Sequence, residues 1–313
     1  MLIFTLLSFN ANASWQTYQN DLGNTGASNG TGYLPLSTAN FSDDSLGMDF
    51  QPLVDDLNAD GNNEIAIFSN KSLIIFNPQL NILTQVKIGS VQGQPTLFDF
   101  DNDNLIEIIF NSRQNSTDYF LVYEYSSALQ QDFNITLSNE ANFSGIKCLS
   151  TAGSKLCVFK DKLNYINVVD MNSKTDTIYS TSIYEEYRQT VPAIGDIDND
   201  GNPEAVWWFN EDNSSGYGFL VFDLNNRSLD TNFNHSGIVD NIFSPLILGP
   251  SLFHQLFELK GQPVLVDLNN DGKLEIAASV FYDDSRNDDG TDQFTELFVY
   301  NYNGTKLFSK CEA

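Results

Sequence analysis

Basic residues are scarce in this chain. Only 15 Lys and Arg stand against 41 Asp and Glu in 313 residues, leaving a net charge of −26. A surface of that sign repels nucleic acid phosphates and anionic lipid headgroups, so both are poor partners. Histidine is nearly absent: His235 and His254 are the two, and neither has a metal-like spacing to a partner. No Gly-rich phosphate loop, zinc cluster or nucleophile–base pair is present, so the chain reads as non-enzymatic. Beyond the first residues no apolar run approaches the ~18 residues of a membrane helix. Cysteine is limited to Cys148, Cys157 and Cys311.

What is abundant points to strands. Apolar residues make up 41% and aromatics 13%, with 24 Phe and 13 Tyr. β-Branched residues are common, and this mixture favours a pleated, half-buried surface. The N-terminus runs from Met1 through Leu2-Ile3-Phe4 and Leu6-Leu7 to Phe9, then Ala11-Asn12-Ala13. An apolar run before an A-x-A site is a signal-peptide end. Residues 1–13 are therefore expected to be removed before Ser14, placing the mature chain outside the cell or on its surface. Residues 14–50 form a lead-in segment or edge strand. In that compartment few cysteines suggest one disulfide and one leftover thiol.

An internal repeat organises residues 51–313. Pro52-Leu53-Val54-Asp55-Asp56-Leu57-Asn58-Ala59-Asp60-Gly61-Asn62-Asn63-Glu64-Ile65 recurs as segments beginning at Pro95, Pro192 and Pro263. Each copy has Pro four residues before its first Asp and ends in Glu followed by apolar residues. The first Asp residues are Asp56, Asp99, Asp196 and Asp267, separated by steps of 43, 97 and 71. The step of 97 holds two units. Between them Cys148 to Phe159 keeps the frame and has lost every acid; setting Cys148 at the first-Asp position gives steps of 49 and 48. The step of 71 is one unit carrying an insertion over 230–258.

Within a unit, short apolar runs alternate with turns. Glu64 to Phe68, Ser72 to Phe76 and Ile82 to Ile88 follow the first acidic loop. Four strands per forty-odd residues is the blade of a β-propeller. The expected fold is all-β, with antiparallel four-stranded blades at about 51–90, 94–140, 144–188, 191–260 and 262–313. Five such blades can close by themselves or form part of a seven-bladed ring.

The acidic loops have the chemistry of calcium sites. Numbered from its first Asp, the first loop offers side-chain oxygens at positions 1, 3, 5 and 9: Asp56, Asn58, Asp60 and Glu64. Gly61 at position 6 permits the sharp turn that brings the carbonyl of Asn62 round. A hard cation needs six or more oxygens and a chain wrapped tightly around it. The spacing matches the first half of an EF-hand loop, with Glu64 closing the shell in place of a Glu at position 12. Fourteen of the 41 acids fall in the four loops, and four Ca²⁺ ions would reduce the charge to −18. Such ions are structural, saturated by ambient calcium.

The pattern resembles the FG-GAP (VCBS-type) repeat of integrin α-subunit propellers and their bacterial and archaeal relatives, over about residues 50–313. The resemblance implies that each loop joins the two inner strands of a blade. It implies four ligand sets. These are Asp56, Asn58, Asp60, Asn62 and Glu64; Asp99, Asp101, Asp103, Leu105 and Glu107; Asp196, Asp198, Asp200, Asn202 and Glu204; and Asp267, Asn269, Asp271, Lys273 and Glu275. Asn62, Leu105, Asn202 and Lys273 would use their carbonyls. The chain departs from the family in having Glu at position 9, often Asp there, and in lacking the Phe-Gly and Gly-Ala-Pro signatures. Integrin partners are therefore not carried over.

The unit without acids places Cys148 and Cys157 on the two strands of its missing loop, either as a disulfide pinning that hairpin or as two buried thiols. The expected role is an extracellular binding, adhesion or surface-scaffold module for a protein or glycan. The competing reading is a carbohydrate-active propeller of polysaccharide-lyase type. The insertion, with Ile242 to Leu248 and Phe253 to Leu256, is the candidate partner surface, since excursions from a rigid scaffold often carry function. The run Asp283 to Gly290 reads as a solvated hairpin tip with room for a fifth ion.

Overall fold

The computed structural model describes residues 50–137, 144–151, 153–161, 165–181, 191–210, 217–233, 238–239, 256–258, 262–283 and 293–312. The signal segment, the lead-in, both histidines, most of the insertion and most of the acidic run at 283–290 lie outside these residues.

Every regular element described is a strand, and the strands form five antiparallel sheets in chain order. The first sheet is β1 (Leu53–Asp55), β2 (Glu64–Ser69), β3 (Ser72–Phe76) and β4 (Ile82–Lys87). The second is β5 (Ser90–Phe98), β6 (Glu107–Gln114), β7 (Thr117–Tyr125) and β8 (Leu129–Thr136). The third is β9 (Lys147–Ser150), β10 (Lys155–Lys160), β11 (Ile166–Asp170) and β12 (Thr175–Tyr179). The fourth holds β13 (Ala193–Gly195), β14 (Glu204–Asn210), β15 (Tyr217–Asp223), β16 (Ser228–Leu229) and β17 (Ile238–Val239). The fifth holds β18 (Leu256–Glu258), β19 (Val264–Val266), β20 (Glu275–Asp283), β21 (Gln293–Tyr300) and β22 (Lys306–Glu312). Three of the sheets are four-stranded meanders, and the fourth and fifth keep a four-strand path with one short extra strand (β17 on β15, β19 on β20); they are the blades of a β-propeller. Among the described residues no helix is long and apolar enough to cross a membrane.

Local sequence explains the meander. The second and third strands of a blade are apolar on both faces, because both faces are covered. β3 is buried throughout, whereas the outer β4 alternates towards solvent. Two-residue turns with positive φ close the β2–β3 hairpin at Asn70-Lys71 and the β6–β7 hairpin at Asn115-Ser116. Both-positive φ is the type I′ geometry that matches strand twist.

The residues divide into two compact units. The first contains sheets one and two and most of sheet three. Ile108 and Phe110 of β6 pack with Leu53, Phe68 and Ile75, while Ile109 between them packs with Ile146, Cys157 and Phe159. Strand period two thus lets one blade build two cores. The second unit contains sheets four and five, cored by Val206, Trp208, Phe219, Leu265, Ile276 and Phe298.

The Pro-containing lead into each loop also joins neighbouring blades. Gln94, just before Pro95, accepts from Gln51 N–H and donates Nε2–H to Gln51 O, both at 3.3 Å. Gln262, just before Pro263, accepts from Val191 N–H at 2.7 Å. Gln51 and Val191 themselves precede Pro52 and Pro192. One side chain of the later blade thereby satisfies the backbone of the earlier one in both units.

Two expectations of register change. Cys148 pairs with Cys157 in the frame that pairs Asp55 with Glu64, Gly195 with Glu204 and Val266 with Glu275. Cys148 therefore stands one residue before the first-Asp position, and Cys157 takes the position of the Glu. With its acids gone the third hairpin turns tightly, Thr151 N–H donating to Ser154 O at 2.8 Å. The stretch 230–258 is also not one excursion from the fourth blade. β17 pairs with β15, and β18 pairs with β20, so the fifth sheet reaches back to Leu256. Long central strands leave edge N–H and C=O groups that short returning segments satisfy.

Candidate metal centres

Each acidic loop joins two paired strands of its sheet: β1 to β2, β5 to β6, β13 to β14 and β19 to β20. All four close alike. The Glu at position 9 turns back beneath the loop, and its Oε2 accepts from the position 2 N–H. The distances are 3.1 Å for Glu64 and Leu57, 2.9 Å for Glu107 and Phe100, 2.9 Å for Glu204 and Ile197, and 2.8 Å for Glu275 and Leu268.

The Asp at position 1 braces the turn. In loops one, three and four its Oδ2 accepts from the N–H of Gly61, Gly201 or Gly272 at 2.8, 2.8 and 3.0 Å. Its Oδ1 accepts from the N–H at position 5. In loop two Asn104 replaces that Gly, and Asp99 accepts from Asn102 N–H at 2.6 Å instead. Position 5 accepts from the position 7 N–H in all four loops, at 2.8 to 2.9 Å. Position 6 is left-handed, with φ of 87°, 70°, 90° and 85° at Gly61, Asn104, Gly201 and Gly272. Position 4 is left-handed too, at Ala59, Asn102, Asn199 and Asn270. This second bend was not read from the sequence, although Asn at three of the four copies is its signature.

Carboxylates crowd as a result. Asp99, Asp101 and Asp103 each bring an oxygen within 4.8 Å of the others, and so do Asp196, Asp198 and Glu204. Oxygens on one calcium ion at 2.3–2.6 Å lie no more than about 5 Å apart, so either group fits one shell. Asn58 and Asn269 hold position 3 in loops one and four. Their Nδ2 groups donate to Asp60 at 3.3 Å and to Asp271 at 3.1 Å, so an amide dipole stands between acids there. Lys273 does not put its charge into loop four: its Nζ lies 3.6 Å from the centre of the Tyr302 ring.

Burial, followed by the charges of Asp60 and Asp56, pushes Glu64 up to about 7. Burial, then Asp101 and Asp99, pushes Glu107 up to about 8. Burial, then Asp198, Asp230 and Asp223, pushes Glu204 up to about 9. Asp101 and Asp198 are raised as well, first by burial. Glu107 carries the clearest mark of fit. It is fully buried, its Oε2 is used by Phe100, and its Oε1 has no hydrogen-bond partner. A buried carboxylate oxygen left unpaired is costly, and a divalent cation coordinated by that oxygen removes the cost.

The loops also touch one another. Ile106 N–H at position 8 of loop two donates to Leu57 O at position 2 of loop one, at 3.4 Å. Leu274 N–H of loop four donates in the same way to Ile197 O of loop three, at 3.0 Å. The fourth blade adds acids not singled out by the sequence. Asp223 ends β15 and Asp230 follows β16; Asn225 N–H donates to Asp223 and Asn232 N–H to Asp230. In the degenerate third blade Cys148 and Cys157 form a disulfide.

No protein-family model matches the chain. No curated protein matches it either. Among solved structures, the chain is similar to BBS1N in complex with ARL6DN, soaked with lead: 13% identity over 83% of this chain and 67% of that one, TM-score 0.44. The mercury-soaked form of the same complex gives 14% identity, the same coverage and a TM-score of 0.45. The WD40 domain of SCAP from fission yeast gives 12% identity over 83% and 75% of the two chains, TM-score 0.36.

Proposed function

We propose that this chain is an extracellular calcium-binding β-propeller of the FG-GAP or VCBS type, serving as a binding, adhesion or surface-scaffold module. Its ligand is an extracellular protein or glycan. The observation that carries the reading is the repeated loop: all four close through the same Glu-to-backbone bond, the second and third bring three carboxylates within 4.8 Å of one another, and Glu107 Oε1 is buried without a partner. The residues at positions 1, 3, 5 and 9, with the carbonyl of position 7, would hold the ion. The ion supplies a fixed positive charge that pins the two inner strands of a blade. Export is supported by the apolar N-terminus with its A-x-A site and by the disulfide, a cross-link that persists in oxidising compartments.

The test has two parts. Purified full-length chain, stripped with chelator and dialysed against calcium, should take up about four ions by atomic emission; failure to retain any ion would remove the reading. A glycan and protein array probed with and without calcium should give calcium-dependent binding. Release of oligosaccharides from a polysaccharide substrate would instead favour an enzyme.

A further inference from the structure

The fourth blade departs from the first, second and fifth at one strand position. Position 11 after each loop pairs with Ile75, Val122, Val221 or Val299 on the third strand. Opposite those residues the fourth strand presents Thr84, Phe133 and Phe308 in the first, second and fifth sheets. In the fourth sheet the residue there is Asp230, whose N–H donates to Val221 O at 3.0 Å. An apolar or hydroxyl side chain has been exchanged for a carboxylate.

That carboxylate is 5% exposed. Its Oδ1 accepts from Asn232 N–H at 2.8 Å, and its Oδ2 is buried with no hydrogen-bond partner. The same Asn232 donates its Nδ2–H to Asp198 Oδ2 at 3.1 Å, so one residue bridges Asp230 to position 3 of the third loop. Burying a further anion with one oxygen unpaired, one bridging side chain away from Asp198, has no rationale as packing. It has one as coordination, because a calcium shell of six to eight oxygens exceeds what a nine-residue loop provides.

We infer that Asp230 Oδ2 is an additional protein oxygen on the cation of the third loop, so that this site binds calcium more tightly than the other three. The inference rests on the calcium reading above and adds to it a ligand from outside the loop motif and an order among the sites. Affinity in such sites follows the number of charged ligands and their rigidity. The Asn232 bridge supplies the rigidity.

Calorimetric titration of the chelator-stripped full chain with CaCl₂ tests it. Wild-type protein should show about four ions, one of them bound about tenfold or more tightly than the rest. Asp230→Asn should leave the ion count unchanged and weaken only the tight class by about tenfold. In Asp196→Asn the tight class should vanish, and adding Asp230→Asn should then change nothing. Thr84→Asp, which puts a carboxylate at the matching place in the first sheet, should create a second tight class; this gain does not depend on the fourth blade tolerating substitution. Four equivalent sites in wild type, or a tight class that survives Asp230→Asn, would overturn this inference and leave calcium binding intact. A wild-type chain that binds no calcium would overturn both.

Discussion

Cys157 stands opposite Cys148 on β10 and β9 at the register that sets Glu204 opposite Gly195 in the next blade. The disulfide therefore occupies the place of the buried Glu that ties each acidic loop to its second strand. One hairpin is closed covalently and four are closed through carboxylates. Closing so short a loop contributes about 3 kcal/mol at most. Cys148→Ala with Cys157→Ala should lower the thermal midpoint by roughly 5 °C and leave the calcium count unchanged. Scanning calorimetry and atomic emission on the same sample check both halves. A loss of bound ions in this variant would show that the third blade does more than hold its own strands.

Removing calcium should make stability depend on pH in a stated direction. Glu64, Glu107 and Glu204 titrate in the metal-free fold at about 7, 8 and 9, against an ordinary 4.5. Between about 4.5 and those values the folded chain holds protons that the unfolded chain has released, so metal-free stability falls as pH rises through the window. Above about 9 the slope disappears. Bound calcium would displace the protons and remove the dependence. Thermal midpoints measured from pH 5.5 to 9 should decline in chelator and stay level in excess calcium. A level profile in chelator would contradict the burial of these carboxylates.

The blade frame was legible because its signals are local. Pro, the spaced acids and the apolar runs each act over a few residues, and the strands Ser72–Phe76 and Tyr217–Asp223 fall where the repeat put them. The register of the third hairpin was not legible: once its acids are gone, nothing in Cys148 to Cys157 marks the one-residue offset that strand pairing reveals. Asp230 was hidden for a different reason. It lies 26 residues beyond Glu204 in the sequence and meets the loop through strand pairing and the Asn232 bridge. Contacts between strands distant in sequence depend on pairing register, and a motif search does not see them.

Position 2 of the loops separates packing from coordination. Leu57 is 0% exposed and packs with Leu97, Ile106 and Ile108, whereas Leu268, its counterpart in the fourth loop, is 54% exposed. Leu57→Ala should cost about 2–5 kcal/mol as a cavity in the core. Leu268→Ala should change stability by about 0.5 kcal/mol or less. Chemical denaturation in saturating calcium measures both. Equal losses would mean that position 2 acts through the loop backbone, by way of its bond to Glu, and not through its side chain.

The two left-handed residues of each loop give the sharpest test of local geometry. Gly61 and Gly201 have φ of 87° and 90°, and a Cβ at either would meet nothing within 4 Å. The cost of Gly201→Ala is then conformational alone, about 1–2 kcal/mol. Asn104 already sits at φ 70° in the same place, so Asn104→Gly should stabilise the second loop by several tenths of a kcal/mol. Ala59 is the exception at position 4: it adopts φ 56° where Asn102, Asn199 and Asn270 stand in the other loops. Ala lacks the short polar side chain that makes left-handed backbone tolerable, so Ala59→Asn should stabilise the first loop by up to about 1 kcal/mol and raise its calcium affinity. Because Gly201→Ala strains a bend that cation binding requires, its penalty should grow in calcium relative to chelator. The Ala59→Asn gain should appear in both conditions, since it acts on the backbone before any ion arrives. A penalty for Gly201→Ala that is the same with and without calcium would place the bend outside the coordination step.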